Sequence, residues 1–319
     1  MSRTAPRSID QYLRRLREEL VGADAALIQD ALYDAEEYLR AEVAAHPEKS
    51  EADVLELIAS TYGAPDEVAA AYRDTELKVN KAMSTPRKLP KGGTGAFWGV
   101  FLDPRAYTSL FFMFLSLVTG IMYFVFAVVG LSLSAGLSVL VLGIPFFIAF
   151  MAISRVLSLA EGRLIEAVSG QRMPRRPVYQ EKGGGFWAGV GNMLKDRRTW
   201  STLAYFILML PLGIAYFVIA VTGLSVSLAF IATPFLSMAS HFGWLNDAAG
   251  NPEVYIHPMW LGDWWALPIL LGAGVLLLTA LMHVARGIGR LHAAFAKSLL
   301  VSPAGSATEG EVAAPAVAG

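Results

Sequence analysis

Apolar positions in the first eighty residues recur at helical spacing. Ile9, Tyr12, Leu13, Leu16 and Leu20 form one stripe, and Ile28, Ala31, Leu32, Ala35, Leu39 and Val43 form a second. On the second helix Asp34, Glu36, Glu37 and Arg40 are expected to face water. Ser50 with Asp53 three residues on is an acidic variant of the capping box, leading into Val54, Leu57 and Ile58. Gly63 suits a C-cap, and Pro65-Asp66-Glu67 opens a fourth helix with acids at its positive end, Val68, Ala71 and Tyr72 facing inward. The pattern predicts a small bundle of four short helices.

Beyond residue 97 the polar faces disappear. No charged residue lies between Arg105 and Arg155, and only Asp247, Glu253 and Asp263 lie between Arg198 and Arg286. Stretches near 107–129, 133–154, 200–222 and 264–284 each reach the ~20 residues that cross a bilayer. Lys and Arg cluster at 81–105, 155–198 and 286–297. The positive-inside rule then places both termini in the cytoplasm and 241–263 outside. Residues 224–240 are apolar but short and interrupted by Thr233-Pro234; they are expected to dip into or lie along the outer leaflet, with five spans as the alternative.

This second part contains a repeat. Gly120-Ile-Met-Tyr-Phe-Val-Phe-Ala-Val-Val-Gly-Leu-Ser-Leu-Ser134 matches Gly213-Ile-Ala-Tyr-Phe-Val-Ile-Ala-Val-Thr-Gly-Leu-Ser-Val-Ser227, and Asp103-Pro-Arg105 matches Asp196-Arg-Arg198, always at an offset of 93. Phe97-Trp98 and Phe186-Trp187 extend it with a small gap. If each copy is a hairpin that starts and ends inside, the copies are parallel rather than inverted.

Composition sharpens this division. Of 319 residues, 55% are hydrophobic and 17% charged, against roughly 25% charged in a soluble domain. Residues 1–91 nevertheless hold 13 basic and 17 acidic side chains. The expected fold class is all-α: a cytosolic helical bundle at 1–82, a Pro/Gly/Lys linker at 83–96, a four-span membrane domain at 97–301 with copies at 97–182 and 186–301, and a disordered tail at 302–319. The charged N-terminus has no apolar core of a cleavable signal, so the first span is expected to direct insertion. A net charge of −1 gives no sign of a nucleic-acid partner.

The candidate chemistry is sparse. There is no cysteine, so disulfides and thiolate chemistry are excluded. Gly92-Gly-Thr-Gly95 and Gly183-Gly-Gly185 are not followed by the Gly-Lys-Ser/Thr of a phosphate loop and read as hinges into the membrane. Phe97, Trp98, Val100 and Phe101 suit a short segment in the headgroup layer. The histidines lack metal-ligand spacing, no catalytic constellation can be assembled, and neither metal nor cofactor is expected. His241, Asp247, Glu253, His257, Trp260 and Asp263 share the outer loop and are the candidate ligand-sensing residues, against the simpler reading of a polar loop with an aromatic belt. The spans carry no mid-depth ionisable group, which argues against ion coupling. Residues 284–300 form a basic amphipathic helix suited to anionic lipid.

Two resemblances add to this. Through Asp196-Arg-Arg-Thr-Trp200, Pro211-Leu-Gly-Ile-Ala-Tyr-Phe217, Asp263-Trp-Trp-Ala-Leu267 and Arg290-Leu-His, residues 97–301 resemble the sensor membrane domain found at the front of many actinobacterial histidine kinases. Through Tyr12-Leu-x-x-Leu16, Glu36-Glu-Tyr38 and Gly63-Ala-Pro-Asp-Glu-Val-Ala69, residues 8–75 resemble the helical HAAS-type signalling domain. The first resemblance implies sensing without the kinase, whose phosphoacceptor helix and ATPase domain are not expected here. The second implies a PadR-like winged-helix transcription regulator as partner, with Asp34, Glu36 and Glu37 as candidate contacts or plain solvated surface. The expectation is a non-enzymatic bacterial plasma-membrane sensor relaying an envelope cue; an accessory or scaffold subunit of a transport complex is the competing class. The cue and the oligomeric state, homo-oligomer included, stay open.

Overall fold

The computed structural model describes residues 6–83, 97–139, 143–176, 191, 195, 197–245 and 264–301. Every regular element among them is helical: α1 (Ile9–Glu19), α2 (Ala25–Ala45), α3 (Glu51–Ala59), α4 (Pro65–Met83), a short 3₁₀ turn (Gly99–Leu102), α5 (Pro104–Leu137), α6 (Gly143–Ser169), α7 (Arg197–His241) and α8 (Ala266–Leu300). α5 to α8 are long and apolar enough to cross a membrane. The chain forms two compact units, one comprising Met1–Pro86, Gly130–Tyr205 and Ala293–Gly319, the other Arg87–Val129 and Phe206–His292.

In the first unit, α1 to α4 make the bundle, and each start has a local cause. The side chains of Ser8, Asp24 and Ser50 accept hydrogen bonds from the amides of Gln11, Ala26 and Asp53, satisfying donors that a helix start leaves unpaired. Glu67 Oε2 accepts from Ala64 N at 3.1 Å, just before α4. The left-handed turn before that helix falls on Gly63 (φ +104°), a conformation that penalises a Cβ. The stripes of α1 and α2 meet as expected, with Ile9, Tyr12, Leu16, Leu20, Ile28, Ala31, Ala35 and Leu39 in one core with Val54, Ile58 and Val68. Tyr12 hydroxyl donates to Gly63 O at 2.9 Å, tying α1 to the turn before α4.

In the second unit, α5 and α7 pack through small residues. A Cβ on Gly120 would lie 2.6 Å from Met209 O, and one on Gly213 would lie 2.2 Å from Ser116 O. Tyr123 stacks on Phe206 with ring centroids 4.8 Å apart, and Phe114 meets Phe217 edge-on. Residue numbers rise on one helix as they fall on the other, so these stretches run antiparallel. Gly120 and Gly213 are repeat equivalents, as are Ser116 and Met209, both pairs 93 apart. Each copy therefore presents the same patch to the other, an isologous contact. A glycine on each helix lets the two backbones approach closely there.

The helix boundaries also depart from the expected spans. The first runs to Leu137, past its expected end at 129, and the second starts at Gly143 rather than at 133. Residues 224–240 are not a separate segment along the outer leaflet, nor a fifth span, because α7 runs unbroken through them. A five-span arrangement needs a turn near 223, and Gly223 instead lies inside α7, pressed on Leu281 of α8. Pro211 and Pro234 are both accommodated within the helix. At ~1.5 Å per residue its 45 residues run about 68 Å, more than twice a hydrocarbon core of ~30 Å.

Candidate functional site

The densest polar constellation among the described residues lies in the first unit, where the chain leaving α6 meets α2 and α4. α2 is buried on two sides at its start: Ala26, Leu27, Ile28, Gln29, Asp30 and Ala31 are consecutive buried residues. Ile28 and Ala31 belong to the bundle core. Asp30, only 4% exposed, turns instead to the segment after Ser169.

Its carboxylate collects three donors. Oδ1 accepts from the amides of Arg175 at 2.8 Å and Arg176 at 3.0 Å, and Oδ2 accepts from Arg172 Nη2 at 3.0 Å. Arg172 also pairs with Glu76 of α4, both side chains 14% exposed, so one guanidinium joins two helices of the bundle. Arg175 pairs with Glu166 at 3.1 Å. Arg176 pairs with Asp34 at 3.0 Å, and its guanidinium lies 5.8 Å from the centre of the Tyr33 ring. Gln29 Nε2 donates to Arg176 O at 2.7 Å.

A second tie involves α8. Lys297 Nζ reaches Asp24 Oδ2 at 2.5 Å, while the other oxygen of Asp24 caps α2. Ser201 hydroxyl donates to Leu299 O at 2.7 Å, and Tyr205 hydroxyl donates to the fully buried Glu161 at 2.8 Å. The same unit thus fastens the starts of α2 and α7 and the ends of α6 and α8. Buried charge of this density is tolerated because the carboxylates of Asp30, Glu76 and Glu166 are paired with arginines and that of Glu161 accepts a hydrogen bond.

Tyr72 hydroxyl donates to Asp34 Oδ2 at 2.9 Å, and burial with that bond pushes the phenol well above its ordinary value. Tyr62 stacks on Tyr38 with centroids 4.5 Å apart; burial first, then the Asp34 charge, pushes it up to about 12. Asp34 therefore carries its charge against two tyrosines and one arginine of the same unit.

Of the acidic trio expected on α2, Asp34 is committed to Arg176 and Tyr72. Glu36 pairs with Arg40 at 3.1 Å within the helix, and Glu37 is exposed. Of the outer-loop candidates, His241 is the exposed last residue of α7, its ring 5.9 Å from that of Phe242. Asp247, Glu253, His257, Trp260 and Asp263 lie outside the described residues. No group of three or more His, Asp or Glu that could hold a metal is present among the described residues.

Sequence reasoning missed Asp30 and the arginines of 172–176. The available signal was Gln29-Asp30 interrupting an otherwise apolar start of α2, Ala25-Ala-Leu-Ile28 before it and Ala31-Leu32 after it. The chemistry of the site is ionic fastening, with donors on a connector and acceptors on a folded bundle.

A family model described as "Putative sensor" matches residues 112–300. No curated protein and no solved structure matches the chain.

Proposed function

This chain belongs to that sensor family, and from this premise we propose that it is a multi-pass membrane sensor whose output passes through the N-terminal bundle. The observation that carries the relay is the grip of Arg172, Arg175 and Arg176 on Asp30, Asp34 and Glu76. Through it, movement of the α6 end is mechanically tied to α2 and α4. A cue that binds two arrangements of the membrane helices unequally would shift how firmly the bundle is held.

Our reading places both termini in the cytoplasm, on the basic side of the spans. The cue is an envelope change, and the partner is a PadR-like winged-helix regulator bound by a HAAS-like bundle. The protein acts as a relay rather than an enzyme. Support comes from the family membership, from the bundle's resemblance and from the position of the ionic grip.

The test is affinity purification of the tagged full-length protein from native membranes in mild detergent, followed by mass spectrometry. Recovery of a winged-helix regulator that is lost on removing residues 1–82, and altered by Asp30→Ala, is the expected result. Recovery of a transport ATPase or permease in its place would overturn the regulator reading in favour of an accessory subunit.

A further inference from the structure

The second unit carries a surface that the relay does not use. Residues 97–103 form an elbow laid across α8. Val100 and Ala106 pack on Met282 in a small core. His283 Nε2 is 3.0 Å from Phe97 O, and the two rings stack at 5.5 Å. Asp103 accepts from Arg105 N at 3.0 Å and pairs with Arg286 at 3.4 Å. A Cβ on Gly289 would lie 2.4 Å from Ser109 Oγ, so α5 and α8 are in close contact one turn further along.

Two exposed cations adjoin this contact along the chain. Arg105 lies one turn before Ser109, and Arg290 adjoins Gly289; both are exposed, and neither has an ion pair among the described residues. Arg286, by contrast, is already neutralised by Asp103. The elbow leading to Arg105 is apolar and open: Leu102 is 56% exposed and Trp98 45%. Exposed tryptophan and leucine beside arginine, at the start of a membrane-length helix, match the chemistry of the headgroup layer.

We propose that Arg105 and Arg290 form a binding site for the phosphate headgroup of an anionic phospholipid, with Trp98 and Leu102 against its glycerol and upper acyl chains. Charge complementarity selects an anionic over a zwitterionic lipid. The apolar flank selects a lipid over a free phosphate, which would leave those two side chains in water. The site stands independently of the relay in the first unit.

The experiment uses the full-length protein in nanodiscs of equal phosphatidylcholine and phosphatidylglycerol, released into native mass spectrometry. Phosphatidylglycerol is expected to be retained preferentially on the wild type. One arginine near an anionic surface contributes about fivefold in affinity, so Arg105→Gln with Arg290→Gln should weaken retention by about 25-fold. The Arg105→Lys with Arg290→Lys pair, which keeps the charge, should retain most of it and shows that loss is not misfolding. Arg163→Gln, an exposed arginine of the first unit, should leave retention unchanged. Equal retention of both lipids on the wild type, or undiminished phosphatidylglycerol on the double glutamine variant, would overturn the proposal. So would displacement by millimolar inorganic phosphate, or an equal loss in Arg163→Gln.

Discussion

Replacing Asp30 with alanine removes an acceptor shared by Arg172 Nη2 and the amides of Arg175 and Arg176. All three donors then lose their partner in a region where water enters poorly. Breaking a buried charge pair by deleting one member costs about 3–5 kcal/mol. At about 1.36 kcal/mol per factor of ten, the connector should detach between roughly 10² and 10⁴ times more readily. Because the loss is local, hydrogen exchange reads it directly. The amides of Arg175 and Arg176 should exchange faster by that factor in the full-length protein, while those of Tyr12 and Leu16, in the bundle core, should keep their protection. Glu37→Gln, on the exposed face of the same helix, serves as the control and should change neither. Unchanged protection at Arg175 and Arg176 in the Asp30→Ala protein would refute the grip and the relay built on it. Loss of protection throughout α1 would show instead that Asp30 holds up the bundle.

Further outcomes follow from particular contacts. Gly213→Ala places a Cβ 2.2 Å from Ser116 O and should lower the unfolding temperature in detergent, at a cost of about 1–3 kcal/mol. Gly136→Ala, in open space on α5, should be neutral or stabilising by up to about 1 kcal/mol, so equal effects would disprove the α5–α7 contact. Tyr205→Phe leaves the buried Glu161 without that hydroxyl donor and should cost about 1–3 kcal/mol in denaturant unfolding; a neutral result would place Glu161 in water. Tyr62, raised from about 10 to about 12, favours the folded bundle while it stays neutral. That contribution is complete below pH 10 and is lost as pH rises through about 12, at up to about 1.36 kcal/mol per pH unit. Tyr62→Phe should flatten this part of the alkaline unfolding curve, followed by tyrosinate absorbance.

How much of this was legible in the residues depends on what kind of information each feature carries. The bundle helices were readable because their starts are local: Ser8, Asp24 and Ser50 cap within three residues, and the apolar stripes are short-range periodicities. The membrane helices were readable as apolar runs, yet their ends were not. A proline in water ends a helix, whereas within a membrane-length helix its freed groups can be satisfied by neighbours. Pro211 and Pro234 accordingly sit inside α7, and the boundary drawn at 223 had no physical basis. The offset of 93 was visible in the residues, but what Gly120 and Gly213 face is a property of packing, which no local pattern states.

The junction illustrates the limit most sharply. Asp34, Glu36 and Glu37 look alike on a helical wheel, and all three were expected to face water. The structure gives the first to Arg176, the second to Arg40 and leaves the third exposed. What separates them is a connector 140 residues away in sequence, and no local rule contains that distance. Asp30 shows the converse. A carboxylate among Leu27, Ile28 and Ala31 is a local contradiction, since burying it unpaired would cost several kcal/mol. Such a contradiction can be resolved only by donors from elsewhere, and the basic cluster Arg172, Arg175 and Arg176 supplies them. In a chain that divides its charge so unevenly, an acidic residue inside an apolar run is therefore the place to look for the contact between its parts.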